Sequence, residues 1–231
     1  MAIKLYDLAG AEDDRRFSPY CWRIKMALLH KGLAFETVPW RFTEKEAIAF
    51  AASSTVPVLV DGGHAVSDSW KIAAYLEQAY PNRPALFDGA ASQTLTYFFS
   101  HWTVRTVHPP LMRAIVLDLY GSLHEKDRAY FRESREKRFG VTLEQHCADP
   151  KKALADLRGV LEPLRPVLAE NDFLSGHGPG FADYILFGTF QWARAVSPQR
   201  LLEPDDPVYA WRERMLDLWD SYARKAKGYP V

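Results

Sequence analysis

Ser18-Pro19-Tyr20-Cys21 is the stretch of this chain whose residue types and order could do chemistry. It follows a strand-like run, Ile3-Lys4-Leu5-Tyr6-Asp7-Leu8, and a charged loop, Ala11 to Arg16, and it opens a run of helical periodicity. Ser18 is a favoured N-cap residue, and Pro19 suits the first helical position, where its missing N–H would have had no partner anyway. At such a junction backbone N–H groups and the positive end of the helix point outward, which favours an anion. A hydroxyl placed there can donate to a thiolate and hold it ionised. The same two residues are equally well accounted for as a cap and a first turn with no chemistry attached. Cys21, in the third helical position, reads as a small buried hydrophobe before it reads as a nucleophile.

The elements that must position this junction follow from periodicity. Tyr20, Ile24, Ala27 and Leu28 repeat at helical spacing, and Gly32 is placed to end that helix in a left-handed conformation. Phe35 to Pro39 reads as a second strand, and Thr43-Glu44-Lys45-Glu46 as a capping box opening a short helix through Phe50. Val56-Pro57-Val58-Leu59-Val60 is a strand with Pro57 at its start, where its N–H is not needed by a ladder. The turn Asp61-Gly62-Gly63 folds it back on His64-Ala65-Val66, and Ser67-Asp68-Ser69 caps a helix carrying Ile72, Ala73, Leu76 and Ala79. The order implies a small four-stranded mixed sheet with helices packed on it. From residue 92 onward strand signals vanish. Leu95, Phe98, Phe99, Trp102 and Thr106 form one helical stripe, Leu154, Leu157, Leu161, Leu164 and Leu168 a second, and Trp211, Met215, Leu218 and Trp219 a third. The expected fold class is α/β plus all-α: a sheet domain over residues 1–80, a linker over 81–91 and a helical bundle over 92–231. The segment His124 to Arg138 mixes six basic with four acidic residues and reads as a solvated helix face.

Composition narrows the function classes. Lys plus Arg and Asp plus Glu are 29 each in 231 residues, so there is no basic footprint for nucleic acid or an anionic membrane. With 48% hydrophobic and 25% charged residues the chain has the makings of a sizeable core. Acidic residues interrupt the N-terminal segment where a signal peptide needs an apolar run, and the expectation is a soluble, cytoplasmic protein. Two cysteines, Cys21 and Cys147, are too few for a disulfide framework, and the seven histidines fall into no metal-ligand spacing, so no metal is expected. Gly176-x-Gly178-x-Gly180 has no strand before it and is not a phosphate loop.

Ser18-Pro19-Tyr20-Cys21, followed by Trp22-Arg23-Ile24-Lys25-Met26-Ala27-Leu28, resembles the glutaredoxin Cys-Pro-Tyr-Cys motif with serine in the first position, as in glutathione transferases. Val56-Pro57 with Asp68-Ser69 resembles that family's cis-proline and acidic-serine pair, and Phe181-Ala182-Asp183-Tyr184 the start of its core helix. The resemblance spans essentially the whole chain. Phe17-Ser18-Pro19-x-x-Trp22 with Lys31-Gly32-Leu33 is most similar to the bacterial beta-aryl etherase type and its fungal relatives.

The resemblance implies an N-terminal thioredoxin-like domain and glutathione as co-substrate. Ser18 would stabilise the glutathione thiolate, the backbone of Val56 ahead of cis Pro57 would pair with the cysteinyl unit, and Asp68 and Ser69 would hold the gamma-glutamyl end. Trp40 and Lys45 resemble positions that contact the glycine carboxylate. Phe98, Trp102, Tyr184, Phe187 and Trp192 would wall an aromatic substrate pocket, each with bundle core as its competing role. Ser18 in place of the redox cysteine removes the usual nucleophile for mixed-disulfide chemistry. Gly180 stands where the core helix usually has a serine or threonine cap. The implied activity is glutathione transfer to a hydrophobic aromatic electrophile, in its etherase form by cleavage of a beta-aryl ether. The competing readings are a non-catalytic glutathione-dependent binder of aromatic ligands and thiol–disulfide exchange through Cys21. A homodimer is also implied.

Overall fold

A computed structural model describes residues 2–230. The first part runs β1 (Ile3–Leu8), α1 (Pro19–His30), β2 (Phe35–Trp40), a 3-10 helix (Lys45–Ala51), β3 (Val58–Asp61), β4 (His64–Ser67) and α2 (Ser69–Ala79). The four strands lie in the order β2-β1-β3-β4. Parallel strands need a crossover, and α1 supplies it between β1 and β2, whose register sets Ile3 opposite Phe35. β3 runs antiparallel to β1, and the Gly62-Gly63 turn, both residues at positive φ, brings β4 back along β3. This is the four-stranded mixed sheet of a thioredoxin-like domain.

Register fixes what lies at one edge of that sheet. Tyr6 is opposite Val58, and Val58 is opposite Ser67. The chain leaving β1, the chain entering β3 and the chain leaving β4 therefore emerge at the same edge. Ser18, Val56 and Asp68 all belong to those three connections.

The second part is helical: α3 (Gly89–Trp102), α4 (His108–Ser122), α5 (Glu125–Phe139), α6 (Leu143–His146), α7 (Pro150–Val160), α8 (Leu164–Glu170), α9 (Phe181–Val196) and α10 (Pro207–Lys225). A π-helical stretch, Thr103–Val107, joins α3 to α4. Its wider turn precedes Pro109 and Pro110, which have no N–H to offer and whose rings crowd the preceding turn of an α-helix. α9 is the hub, buried along nearly its whole length. Inside it, Asp183 is fully buried and accepts from the backbone N–H groups of Leu174 (2.7 Å), Ser175 (3.1 Å) and Gly180 (3.1 Å) and from Trp211 Nε1 (2.8 Å). A Cβ on Gly180 would meet Ser175 Oγ at 2.5 Å, so Ser175 occupies the room a capping side chain would take. Gly188 serves packing. A Cβ there would fall on the carbonyl oxygen of Pro19, so α1 and α9 touch backbone to backbone beside Ser18.

Three sequence expectations need correction. Thr43 does not cap the 3-10 helix: its hydroxyl donates to Asp127 Oδ1 at 2.7 Å, and Glu44 sits at the N-cap without a side-chain bond. The buried Asp127 carboxylate also accepts from the N–H groups of Phe42 and Thr43, and that tertiary tie displaces the local box. Leu95 and Phe98 are 69% and 68% exposed, so the stripe of α3 that reads as core faces outward there. Trp219 follows Met215 at helical spacing, yet Trp219, Asp220 and Ser221 all have positive φ and interrupt α10.

Candidate active site

A cavity of about 500 Å³ opens between the sheet edge and the bundle. Phe17, Ser18, Trp40, Phe42 and Val56 form its sheet-side wall, and His108, Met112, Phe131, Arg135 and Trp192 are among the residues facing them from the helices.

Ser18 is buried at the N-cap of α1, and its Oγ accepts from the Cys21 N–H at 3.2 Å. The oxygen is the acceptor in that bond, and a hydroxyl rotor can turn its proton toward a partner in the cavity. An anion in front of it also meets the positive end of a twelve-residue helix. The Val56–Pro57 peptide is cis, and Val56 lines the cavity with Ser54 and Thr55.

Asp68 caps α2: its Oδ1 accepts from the N–H groups of Trp70 (2.9 Å) and Lys71 (3.0 Å), leaving Oδ2 outside those bonds. Its backbone lies at φ 79°, a conformation that costs roughly 1–3 kcal/mol for a residue with a side chain and persists where surroundings impose it. Asp68 is exposed while Ser69 is buried, and both stand outside the cavity lining. Trp40 lines the cavity with its ring, and its Nε1 donates to the Glu44 carbonyl at 2.7 Å. Lys45 Nζ lies 4.9 Å from the centre of the Tyr130 ring, itself part of the lining.

The structure does not bring Phe98, Trp102, Tyr184 and Phe187 into this cavity. Phe98 is on the outer face of α3, and Trp102 is stacked on Phe99 with ring centres 5.3 Å apart. Tyr184 is buried with its hydroxyl 2.6 Å from His30 Nδ1, and Phe187 is buried edge-on to Trp211. α9, buried along nearly its whole length, directs its aromatics to several neighbours, and of Tyr184, Phe187 and Trp192 on that helix only Trp192 lines the cavity. In the loop Ala11 to Arg16, Asp13, Asp14 and Arg16 line a separate hollow beside α10.

Sequence reading passed over the cavity's far wall. Phe131, Arg135, Arg138 and Phe139 share one face of α5, the helix read as solvated, and all four line the cavity with His146 and His108. The available signal was the three- and four-residue spacing of two aromatics and two arginines, hidden by the high charge of the segment. Burial pulls the Arg135 guanidinium down to about 10, with repulsion from Arg138 adding to it. His108 is pulled down to about 3 by burial first, then by Arg23 and Arg138, so it is a neutral ring at physiological pH. Cys21 is fully buried with Sγ 3.9 Å from the Tyr6 carbonyl oxygen, and burial followed by the charge of Asp7 pushes its thiol well above the usual range.

Comparison with known proteins agrees with this layout. Residues 94–222 match the family described as glutathione S-transferase, C-terminal domain, and residues 17–79 match its N-terminal domain. The chain belongs to the glutathione S-transferase family. Glutathione is that family's co-substrate. Among relatives, a probable glutathione S-transferase GSTU6 of Oryza sativa is 26% identical over 85% of this chain and 80% of its own length. A glutathione S-transferase omega-1 of Mus musculus is 27% identical over 87% of this chain and 73% of its own. In solved structures, glutathione transferase GSTFuA2 of Phanerochaete chrysosporium superposes with a TM-score of 0.75 at 27% identity, over 96% of this chain and 93% of that one. A Ceriporiopsis subvermispora glutathione S-transferase, CsGST63524, in complex with glutathione has the same fold: TM-score 0.78 at 22% identity, over 96% of this chain and 93% of its own.

Proposed function

We propose that this family member transfers glutathione to a hydrophobic aromatic electrophile, with Ser18 holding the thiolate. The observation that carries the reading is the placement of the Ser18 hydroxyl, at the start of α1, on the wall of a cavity rich in aromatic side chains. Val56 offers its backbone to the cysteinyl unit, Asp68 and Ser69 receive the gamma-glutamyl end at the start of α2, and Trp40 and Lys45 lie toward the glycine end. Lowering the thiol pKa toward working pH raises the thiolate fraction without abolishing its reactivity. The sulfur then bonds to the electrophilic carbon as the bond to the leaving group breaks, and the leaving group departs with the electron pair. In the beta-aryl etherase version the leaving group is a phenoxide, which takes a proton from water to give the phenol.

The burial of Cys21 and its raised thiol pKa favour this over thiol–disulfide exchange. For a homodimer, the exposed Leu95, Tyr97 and Phe98 of α3 offer an apolar face. The test is Ser18→Ala, assayed for conjugation against pH. The expected result is a tenfold or greater loss at neutral pH that shrinks as pH rises and the free thiol ionises unaided. A wild-type profile in the variant removes Ser18 from the chemistry. Glutathione binding with no turnover of any aryl electrophile or ether makes the protein a binder.

A further inference from the structure

The far wall of the cavity carries positive charge without counterions. Arg135 and Arg138 both line it, and among the described residues neither has a carboxylate within 4.0 Å and no Asp or Glu contributes to the lining. This is not the habit of the surrounding arginines. Arg132, on the same helix, pairs with Glu136 and Glu144 at 2.9 Å each, and Arg113 pairs with Asp156 at 2.8 Å. Arg135 has a single side-chain hydrogen bond, to Ser134 Oγ at 3.1 Å, and its buried Nε has no partner. His146 Nε2 is likewise buried without a partner, while its ring stacks on Phe139 with centres 3.7 Å apart. The cations are also set among rings: the Arg135 guanidinium lies 4.7 Å from the centre of Phe131 and 5.7 Å from that of Phe42, and Arg138 lies 5.1 Å from that of Phe139.

Two neighbouring guanidiniums repel each other, and a partly buried one such as Arg135 is costly unless an anion meets it. A planar carboxylate fits the donor fork of arginine, and the surrounding rings fit an aryl group. We propose that the second substrate is an aromatic acid, its ring held among Phe42, Phe131 and Phe139 and its carboxylate received by Arg135 and Arg138. This rests on the transferase reading for the word substrate, and on the cavity alone for the binding. The carboxylate is a handle: it keeps its charge while the thiolate sulfur bonds to carbon and the leaving group departs with its electron pair. It sets which electrophiles enter and which way round they lie.

The test is calorimetric, on the full chain, with the unreactive pair biphenyl-4-carboxylate and biphenyl-4-carboxamide, so that the result does not depend on turnover. The acid should bind at least tenfold more tightly than the amide at low salt, with the margin narrowing as salt rises. Arg135→Gln and Arg138→Gln should each shrink the margin several-fold while affinity for the amide and for reduced glutathione stays within twofold, and Arg135→Lys should keep part of it. Arg138 is exposed, so its variant carries the test if Arg135→Gln fails to fold. Equal affinity for acid and amide, binding of neither, or a margin that survives in the glutamine variants overturns the proposal. So does loss of glutathione affinity in those variants with the margin intact, which would assign the arginines to a glutathione carboxylate. Failure of the transferase reading shows separately, as absent turnover with the binding margin in place.

Discussion

Gly188→Ala puts the contact between the two parts of the molecule to a direct test. The added Cβ would lie about 1 Å inside ordinary van der Waals distance of the Pro19 carbonyl oxygen and 3.2 Å from its carbonyl carbon. Both atoms are backbone, so no flexible side chain can swing aside, and the first turn of α1 has to retreat. Overpacking of this kind costs about 1–3 kcal/mol, and in a chain of this size each kcal/mol lowers Tm by roughly 2–4 °C. Ser18 is the residue next to Pro19, so its Oγ moves with that turn. A misplacement of about 1 Å at a reacting centre can cost on the order of a hundredfold in rate. The expected outcome is a Tm lower by several degrees, with kcat for 1-chloro-2,4-dinitrobenzene conjugation falling tenfold or more. Gly159→Ala is the control: its Cβ would meet nothing within 4 Å in α7, so Tm should hold or rise slightly. A Gly188→Ala protein that melts and turns over like wild type would refute the argument that α9 sets the position of Ser18.

Further outcomes follow from buried groups. Asp183→Ala strands four donors, three backbone N–H groups and Trp211 Nε1, and should destabilise by about 3–5 kcal/mol in chemical denaturation, with Asp183→Asn recovering part of that. His108 has a folded pKa near 3 against an ordinary 6.5, so the unfolded chain binds a proton that the folded chain refuses between those values. Stability should therefore be complete above about pH 6.5 and fall by about 1.4 kcal/mol per pH unit as the solution is acidified through that window, and His108→Gln should flatten the slope. Cys21 should resist iodoacetamide at neutral pH in the native protein and react on unfolding, as read by mass spectrometry; ready labelling in the native state would contradict its burial.

The sheet, its hairpin and the first helix were legible because their determinants are local. Alternating apolar residues set β1, Ser18 and Pro19 set the start of α1, Gly62 and Gly63 set the turn, and Asp68 set the start of α2. That the connections carrying Ser18, Val56 and Asp68 leave the sheet on one side follows from strand order and register, which the folded sheet fixes. The bundle was legible as helices but not as neighbours. Leu95 and Phe98 have the periodicity of a core and face outward, Tyr184 and Phe187 have the chemistry of a pocket wall and are packed away from it, and Thr43 has the sequence of a cap and is claimed by Asp127.

What the sequence determined by itself, then, is where α1 starts at Ser18, where the chain turns at Gly62 and Gly63 and where α2 starts at Asp68, because caps and turns act over a few residues and leave a readable order. What only the tertiary structure decided is the wall opposite. A helix shows the same face to solvent or to a cavity until its neighbours are placed, and in α5 that placement turns Arg135 and Arg138 from one more charged surface into the lining of the site.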